Sequence, residues 1–467
     1  MPDPGPRRRT VLAICCLSLF LVGLDTTIVN VGLPAIGAGL GVGTRGLEWT
    51  VDAYTLTLAA LLISSGALAD RFGRRRVFRL GLAVFGAASV ACALAPDAGV
   101  LIAARVAQGV GASMLSPVAL AIVVNVITEP GERARAIGVW AAVFGASMAA
   151  GPLVGGLLVE SAGWRSVFWV NVPVVAVASG LAAVFVPESR AERPRRLDVP
   201  GQLLLVAVVG GAVALLIEGP HVGWGSRAMV GGYAAVSVAL VVFARVEARR
   251  AEPLVDPALF RRVSFAAAAA GAVVVFVALN AALLLNTLYL QQARGVAPFI
   301  VGLVTLPLAL AATVCAPLSG VLVGRFGARL PLLAAGAFLT AGGFCLLFVT
   351  DGTGLRALSA AFLLVGVGFG FANAPITATA VAALPPDRAG VAGGITSSAR
   401  QLGSAVGVAV AGGLVAGVEP GGLAGAARPG WGVVAGCGVV VLALAPLAPA
   451  VRSGRARVLR SGPGRGR

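Results

Sequence analysis

The sequence predicts an all-α membrane protein, and three observations carry that prediction. Of its 467 residues, 58% are hydrophobic and only 12% are charged, whereas soluble domains carry about 25% charged residues. The mean hydropathy is +0.94. The apolar residues fall in continuous runs of about 20, the length that crosses a bilayer as a helix, not in the alternating pattern of a transmembrane barrel.

Fourteen such runs follow one another between charges and turn formers: 11–33, 49–69, 77–95, 99–122, 136–158, 167–187, 199–217, 229–246, 264–290, 299–323, 331–349, 355–378, 389–416 and 431–450. The first follows Arg7-Arg8-Arg9 and has the outline of a signal peptide. Asp25 and Asn30 interrupt its apolar core and thirteen spans follow, so it is expected to stay as the first helix. With the N-terminus in the cytoplasm, 28 Arg fall on inside segments, six fall outside, and Arg105 and Arg400 lie within spans. This is the bias of positive charge toward the cytoplasm, and it puts both termini inside. Removing one helix scrambles the pattern. Removing the pair 199–217 and 229–246 does not, so charge alone leaves twelve and fourteen spans open.

A repeat favours fourteen. GALADRFGRR at 66–75 follows the second span and GVLVGRFGAR at 320–329 follows the tenth; they agree at six of ten positions. Related halves are a known transporter architecture. Copies eight helices apart fit two six-helix halves with two helices between them. The expected division is 1–188 for the N-terminal half, 189–263 for the linker and inserted pair, 264–450 for the C-terminal half, and 451–467 for a tail with six Arg.

Several functions are excluded by what is missing. All 36 basic residues are Arg, so there is no Lys for a phosphate-binding loop or a Schiff base. The single His, His221, rules out a paired-histidine zinc site. The six Cys lack ligand spacing and are expected as small buried residues. No cofactor or metal is implied, and paired intramembrane carboxylates alone suggest no enzyme reaction.

Seven segments carry a resemblance. GALADRFGRRR (66–76) resembles the loop 2–3 signature of the major facilitator superfamily, and LIAARVAQGVGAS (101–113) its fourth-helix motif with an intramembrane Arg. GASMAAGPLVGG (145–156) resembles the fifth-helix motif of antiporters. LDTTIVNVGLP (24–34) and AGGITSSARQLGSAVGVAV (392–410) look like segments of fourteen-span drug:proton antiporters of the EmrB/QacA type, as do WTVDAYTL (49–56) and WRSVFWVNVP (164–173). The resemblance runs from about Leu24 to Val410. It implies a major facilitator fold, a plasma-membrane location, a monomer, and proton-coupled efflux of amphipathic or lipophilic small molecules; the Lys-free, Arg-rich composition fits a bacterium of high GC content. An importer driven by protons is the alternative; the fifth-helix motif argues against it.

Chemistry assigns candidate roles. Asp25, Asp52 and Arg105 are the candidate proton-coupling groups: Asp25 and Arg105 lie inside spans, where charge is costly and functional by default, while Asp52 stands only a few residues into the second span, where water from outside can reach it. An apolar cavity favours a carboxyl's neutral form and a neighbouring Arg its charged form, so a cycle that changes both could load and release a proton. A static ion pair that fixes packing is the alternative. Gly66, Asp70, Arg71, Gly73, Arg74 and Arg75 form a candidate cytoplasmic gate: Gly73 permits a tight turn, and Asp70 can accept from a helix N-terminus or an Arg across the halves. The second copy has Gly324 in place of the acid. Gly145, Gly151, Pro152, Gly155 and Gly156 give the fifth span small faces for close helix approach, with a Pro that can bend it. Thr27, Asn30, Asn280, Asn286, Asn373 and Arg400 are candidate cavity residues; ordinary helix–helix hydrogen bonds are the alternative for each. The Arg-rich tail suits anionic lipid, which leaves no need for nucleic acid as a partner.

Overall fold

The computed structural model describes residues 4–190, 198–250, 253–350, 352–384, 389–419 and 422–448. The Arg-rich tail expected at 451–467 lies outside them, as does Arg388. The described chain is helical throughout. Its first part comprises α1 (Pro4–Leu40), α2 (Thr44–Phe72), α3 (Arg74–Ala93), α4 (Ala98–Ser113), α5 (Ser116–Val126), α6 (Pro130–Ala162), α7 (Ser166–Trp169) and α8 (Asn171–Phe185). Next come α9 (Val199–Val222) and α10 (Arg227–Ala248). Then follow α11 (Val263–Leu288), α12 (Pro298–Phe326), α13 (Arg329–Leu347), α14 (Leu355–Ala382), α15 (Ala389–Val415) and α16 (Leu423–Leu444).

Local chemistry explains the breaks. Two predicted spans divide. The run 99–122 splits into α4 and α5 ahead of Pro117, and 167–187 splits into α7 and α8 ahead of Pro173. Proline lacks the N–H of the helical ladder and its ring crowds the carbonyl four residues back. Asp97 caps α4 by accepting from Val100 N at 2.9 Å, which answers one of the free donors of a helix start. The repeat appears as two matching turns. Gly73 joins α2 to α3 at φ 109°, and Gly327 joins α12 to α13 at φ 82°. Both occupy the left-handed side of φ, where a Cβ is strained, so both copies of the motif keep Gly.

Twelve stretches among the described residues are long and apolar enough to cross a membrane; the divided spans count once each. The remaining two predicted spans, 136–158 and 389–416, coincide with α6 and α15, of 33 and 27 residues.

Contacts recur in order along the chain. α1 packs on α6 as α11 packs on α15, α2 on α4 as α12 on α14, and α3 on α8 as α13 on α16. Two seams join the first eight helices to the last six: α2 against α15, and α6 against α12. α9 lies over the first seam, touching both α2 and α15, while α10 packs mainly on α9. Val230, Val238, Leu240 and Val241 of α10 are exposed, as befits a surface facing lipid. The cysteine expectation needs one correction: Cys345 of α13 is exposed, the other five buried. A thiol is apolar enough to face hydrocarbon, so a span does not force it inward. His221 closes the last turn of α9 and is exposed.

Candidate functional site

A dense polar cluster in the apolar interior forms around Asp25, in the middle of α1. Asp25 and Arg105 of α4 are 0% and 1% exposed and pair at 2.7 Å, Nη1 to Oδ2. The other carboxylate oxygen, Oδ1, accepts from Gln108 Nε2 and from Asn171 Nδ2, each at 2.9 Å. Gln108 stands one turn beyond Arg105 and accepts from its Nη1 at 2.7 Å. Ser89 of α3 accepts from Gln108 Nε2 at 2.9 Å. Arg105 Nε donates to Thr50 O at 3.0 Å, which ties α4 to α2. The guanidinium carbon lies 4.3 Å from the centre of the Tyr54 ring, close enough for a cation–π contact. Helices α1, α2, α3, α4 and α8 thus meet on one carboxylate. Burying an ion pair is favourable only where its remaining donors and acceptors are answered, and here most are.

The sequence brought out Asp25 and Arg105 but not Ser89, Gln108, Asn171 or Tyr54. Gln108 had a signal: three residues from Arg105, it shares a helix face with it. Asn171 sat inside a quoted motif without an assigned role. Ser89 had no signal beyond a hydroxyl in an apolar run.

Asp52 does not join this pair. It is fully buried in α2, accepts at Oδ1 from Thr55 Oγ1 at 3.4 Å, and has no donor at Oδ2. One turn earlier Glu48, which the sequence reading passed over, is 2% exposed with no donor at either oxygen.

The loop between α2 and α3 is pinned mostly to its own neighbours. Asp70 pairs with Arg74 at 2.9 Å. Arg74 N donates to Ser189 O at 2.9 Å and Arg75 N to Glu188 Oε1 at 3.2 Å. The Arg75 guanidinium donates to Ala183 O. Arg71 lies over the ring of its neighbour Phe72. A Cβ on Gly73 would run into Glu188, while Gly66 faces open space. Among the described residues no side chain of the last six helices pairs with Asp70.

The small residues of α6 divide between two partners. Gly151 and Gly155 let α1 approach at Thr27 and Ile28; Gly156 approaches α12 at Pro298 and Phe299. Gly145 faces Thr313, and Gly302 of α12 lies against Pro152. Side chains on Gly151, Gly155, Gly156 or Gly302 would push the helices apart.

The cavity candidates separate into satisfied and unsatisfied groups. Thr27 Oγ1 donates to backbone carbonyls, including Met148 O of α6 at 3.3 Å. Asn280 Nδ2 donates to Ser404 Oγ at 2.9 Å, and Asn373 Nδ2 to Phe369 O at 3.3 Å. By contrast, Asn30 and Asn286 are buried with no partner for either side-chain polar atom. Arg400 donates to Thr377 Oγ1 at 2.5 Å, but its Nε has no acceptor and no carboxylate within 4 Å pairs with it among the described residues.

Comparison with known proteins agrees with this architecture. Residues 15–408 match the Major Facilitator Superfamily. The chain is 42% identical over 405 residues to multidrug resistance protein Stp of Mycobacterium tuberculosis (strain CDC 1551 / Oshkosh), covering 86% of this chain and 74% of that protein. It is 38% identical to the tetracenomycin C resistance and export protein of Streptomyces glaucescens, covering 89% and 78%. It is 37% identical to the methylenomycin A resistance protein of Streptomyces coelicolor (strain ATCC BAA-471 / A3(2) / M145), covering 83% and 82%. The crystal structure of a bacterial homologue of the human lysosomal transporter Spinster, inward-facing and unoccupied, shares the fold. Its TM-score is 0.64 at 17% identity, over 95% of this chain and 96% of that one. A multi-pass helical chain with this core and these relatives is a membrane transporter rather than an enzyme, and it belongs to the Major Facilitator Superfamily.

Proposed function

We propose that this protein exports amphipathic or lipophilic small molecules, antibiotics among them, in exchange for protons. The names of its relatives support the cargo class: multidrug resistance, and resistance to tetracenomycin C and methylenomycin A. The exporter direction rests on the resemblance of 145–156 to the antiporter motif. In this reading α6 and α15 also cross the membrane, giving fourteen spans with both termini in the cytoplasm. Helices α1–α8 and α11–α16 are the two halves, and α9 and α10 are the insert. The halves rock along the α2–α15 and α6–α12 seams.

The observation that carries the coupling is the buried Asp25–Arg105 pair. Three side-chain N–H donors, from Arg105, Gln108 and Asn171, hold the Asp25 carboxylate. They come from α4 and α8, so a movement of α1 against those helices removes them together. Asp25 then takes a proton in their place. When α1 returns, the donors displace that proton to the cytoplasmic side. Asn30, Asn286 and Arg400, with free polar atoms in an apolar interior, are the groups available to a bound substrate. Asp70 with Arg74 braces the cytoplasmic end of the α2–α3 hairpin.

The test is uptake of a lipophilic cationic dye into everted membrane vesicles, wild type beside Asp25→Asn. Uptake that follows an imposed pH gradient, collapses with a protonophore and is lost in the variant is the expected result. Folded wild-type protein that neither moves dye nor releases protons across a wide compound panel would defeat broad drug efflux. Reversing the gradient separates export from import.

A further inference from the structure

The α2–α15 seam holds two acids that the Asp25 network does not reach. Glu48 and Asp52 are four residues apart on α2 and so project from one face. They are 2% and 0% exposed. Both oxygens of Glu48 and Oδ2 of Asp52 have no donor in reach, and Asp52 Oδ1 has only the 3.4 Å contact from Thr55. Opposite Glu48, α15 presents Gly412, where a Cβ would collide with the Glu48 carboxyl. The missing side chain leaves a notch that the acid fills. Toward the near end of α2, Glu218 of α9 accepts from Trp49 Nε1 at 3.1 Å and pairs with Arg45 at 2.6 Å, with a fifth of its side chain still exposed. It is the wet end of a row of carboxyls that leads inward.

The other charged groups on the surrounding helices are committed or remote. Asp25 of α1 and Arg105 of α4 pair with each other. Arg400 of α15 contacts Thr377 on α14. His221 of α9 is exposed at the helix end, and the Arg residues of α3 lie at the far end of α2. α5 carries no charged residue. No cation answers Glu48 or Asp52 among the described residues. An ionised carboxylate sealed from water with neither donor nor counter-charge is among the most expensive groups a protein can bury; the same group with a proton bound is not. Two such acids behind a seam that opens and closes are therefore built to be sealed in only when loaded.

We propose that Glu48 and Asp52 form a proton-binding site in the α2–α15 seam, filled from the outside past Glu218 and closed by Gly412. This rests on the proton-driven orientation proposed above. In the open seam a hydronium ion transfers its proton to a carboxylate oxygen, forming an O–H bond and leaving water behind. Closure of α15 over α2 then retains the neutral acid. When the halves next part toward the cytoplasm, water reaches the O–H bond and leaves with the proton as hydronium, restoring the carboxylate.

Full-length protein reconstituted in liposomes tests this in two ways. Infrared spectra at neutral pH should show the carbonyl stretch of protonated carboxyl groups, weakened in Glu48→Gln and again in the double variant with Asp52→Asn. In the same liposomes, ethidium accumulation driven by a pH gradient should fall on the order of tenfold or more in Glu48→Gln, while equilibrium ethidium binding stays at the wild-type level. The amide matches the neutral acid in shape, so the variant keeps the fold; an unchanged unfolding temperature checks this. A Glu48→Gln spectrum identical to wild type overturns the site, and so does undiminished accumulation in that variant where wild type follows the gradient. If wild type shows the Glu48 band yet ignores the gradient, the proton-driven reading fails and the site stands as a proton-binding site. If neither is seen, both fail.

Discussion

The first eight helices and the last six share a contact pattern but not a charge pattern. Among the first eight, Arg105 has a carboxylate, an amide oxygen, a backbone carbonyl and an aromatic ring around it. Among the last six, Arg400 has one hydroxyl. The polar pair that ties α11 to α15 is neutral, Asn280 with Ser404. One backbone plan therefore carries two kinds of surroundings for a buried Arg. Around Arg105 lies an electrostatic circuit whose parts depend on each other. Around Arg400 the interior is loosely polar, with a donor left over. A closed circuit suits a step that must be all or none, such as holding or releasing a proton. Unused donors suit contacts with varied guests.

Substitutions can break this contrast, and the largest effect is expected at the circuit. Arg105→Ala strands the Asp25 carboxylate in an apolar interior, a loss of about 3–5 kcal/mol for a broken buried pair. Thermal unfolding of the purified protein should register it, and gradient-driven transport should vanish. Unchanged stability there would mean that Asp25 finds water instead, and the circuit would not be closed. Next comes Gly156→Leu at the α6–α12 seam. A side chain placed against Pro298 and Phe299 overpacks the contact by about 1–3 kcal/mol. Transport should fall while Asp25 keeps its partners; normal transport would show that this seam need not close. Asn280→Ala, with one neutral bond lost, should cost about 0.6–1.7 kcal/mol; a drop as large as that of Arg105→Ala would erase the difference between the two interiors. Smallest is Arg400→Leu. Removing a cation that lacks a counter-charge is often neutral or stabilising in a buried setting, so stability should move by less than about 1 kcal/mol. The substrate profile in a resistance panel should shift instead, and an unaltered profile would remove Arg400 from the cavity.

Much of this architecture could be read from the chain. Apolar run length located the helices, and the Arg-Phe-Gly repeat matched two turns that both use a left-handed glycine. The splits at Pro117 and Pro173 were not, since each run reads as one span and Pro152, Pro307, Pro317 and Pro375 stand inside unbroken helices. Asp25 and Arg105 stood out because charge in an apolar run is rare. Their supporting groups did not, because Ser89 and Asn171 become significant only when α3 and α8 are brought beside α1, and no spacing along the chain encodes that. Glu48 was missed for a related reason. Near the start of a helix, an acid looks like one wetted by the interface; its burial is created by α15, more than 340 residues later. Asp70 shows the opposite limit. Its local pairing with Arg74 follows from their i, i+4 spacing, whereas a partner in the other half is a matter of conformational state.

The placement of α9 and α10 has a consequence for compounds dissolved in the bilayer. The two seams are equivalent in the contact pattern, yet one is roofed by α9 and fastened to it through Arg45, Trp49 and Glu218, and the other has no such cover among the described residues. A molecule diffusing sideways in the lipid meets a wall at α2–α15 and bare helices at α6–α12. The protein has a front and a back as seen from within the membrane, so lateral approach from the two sides is not equivalent.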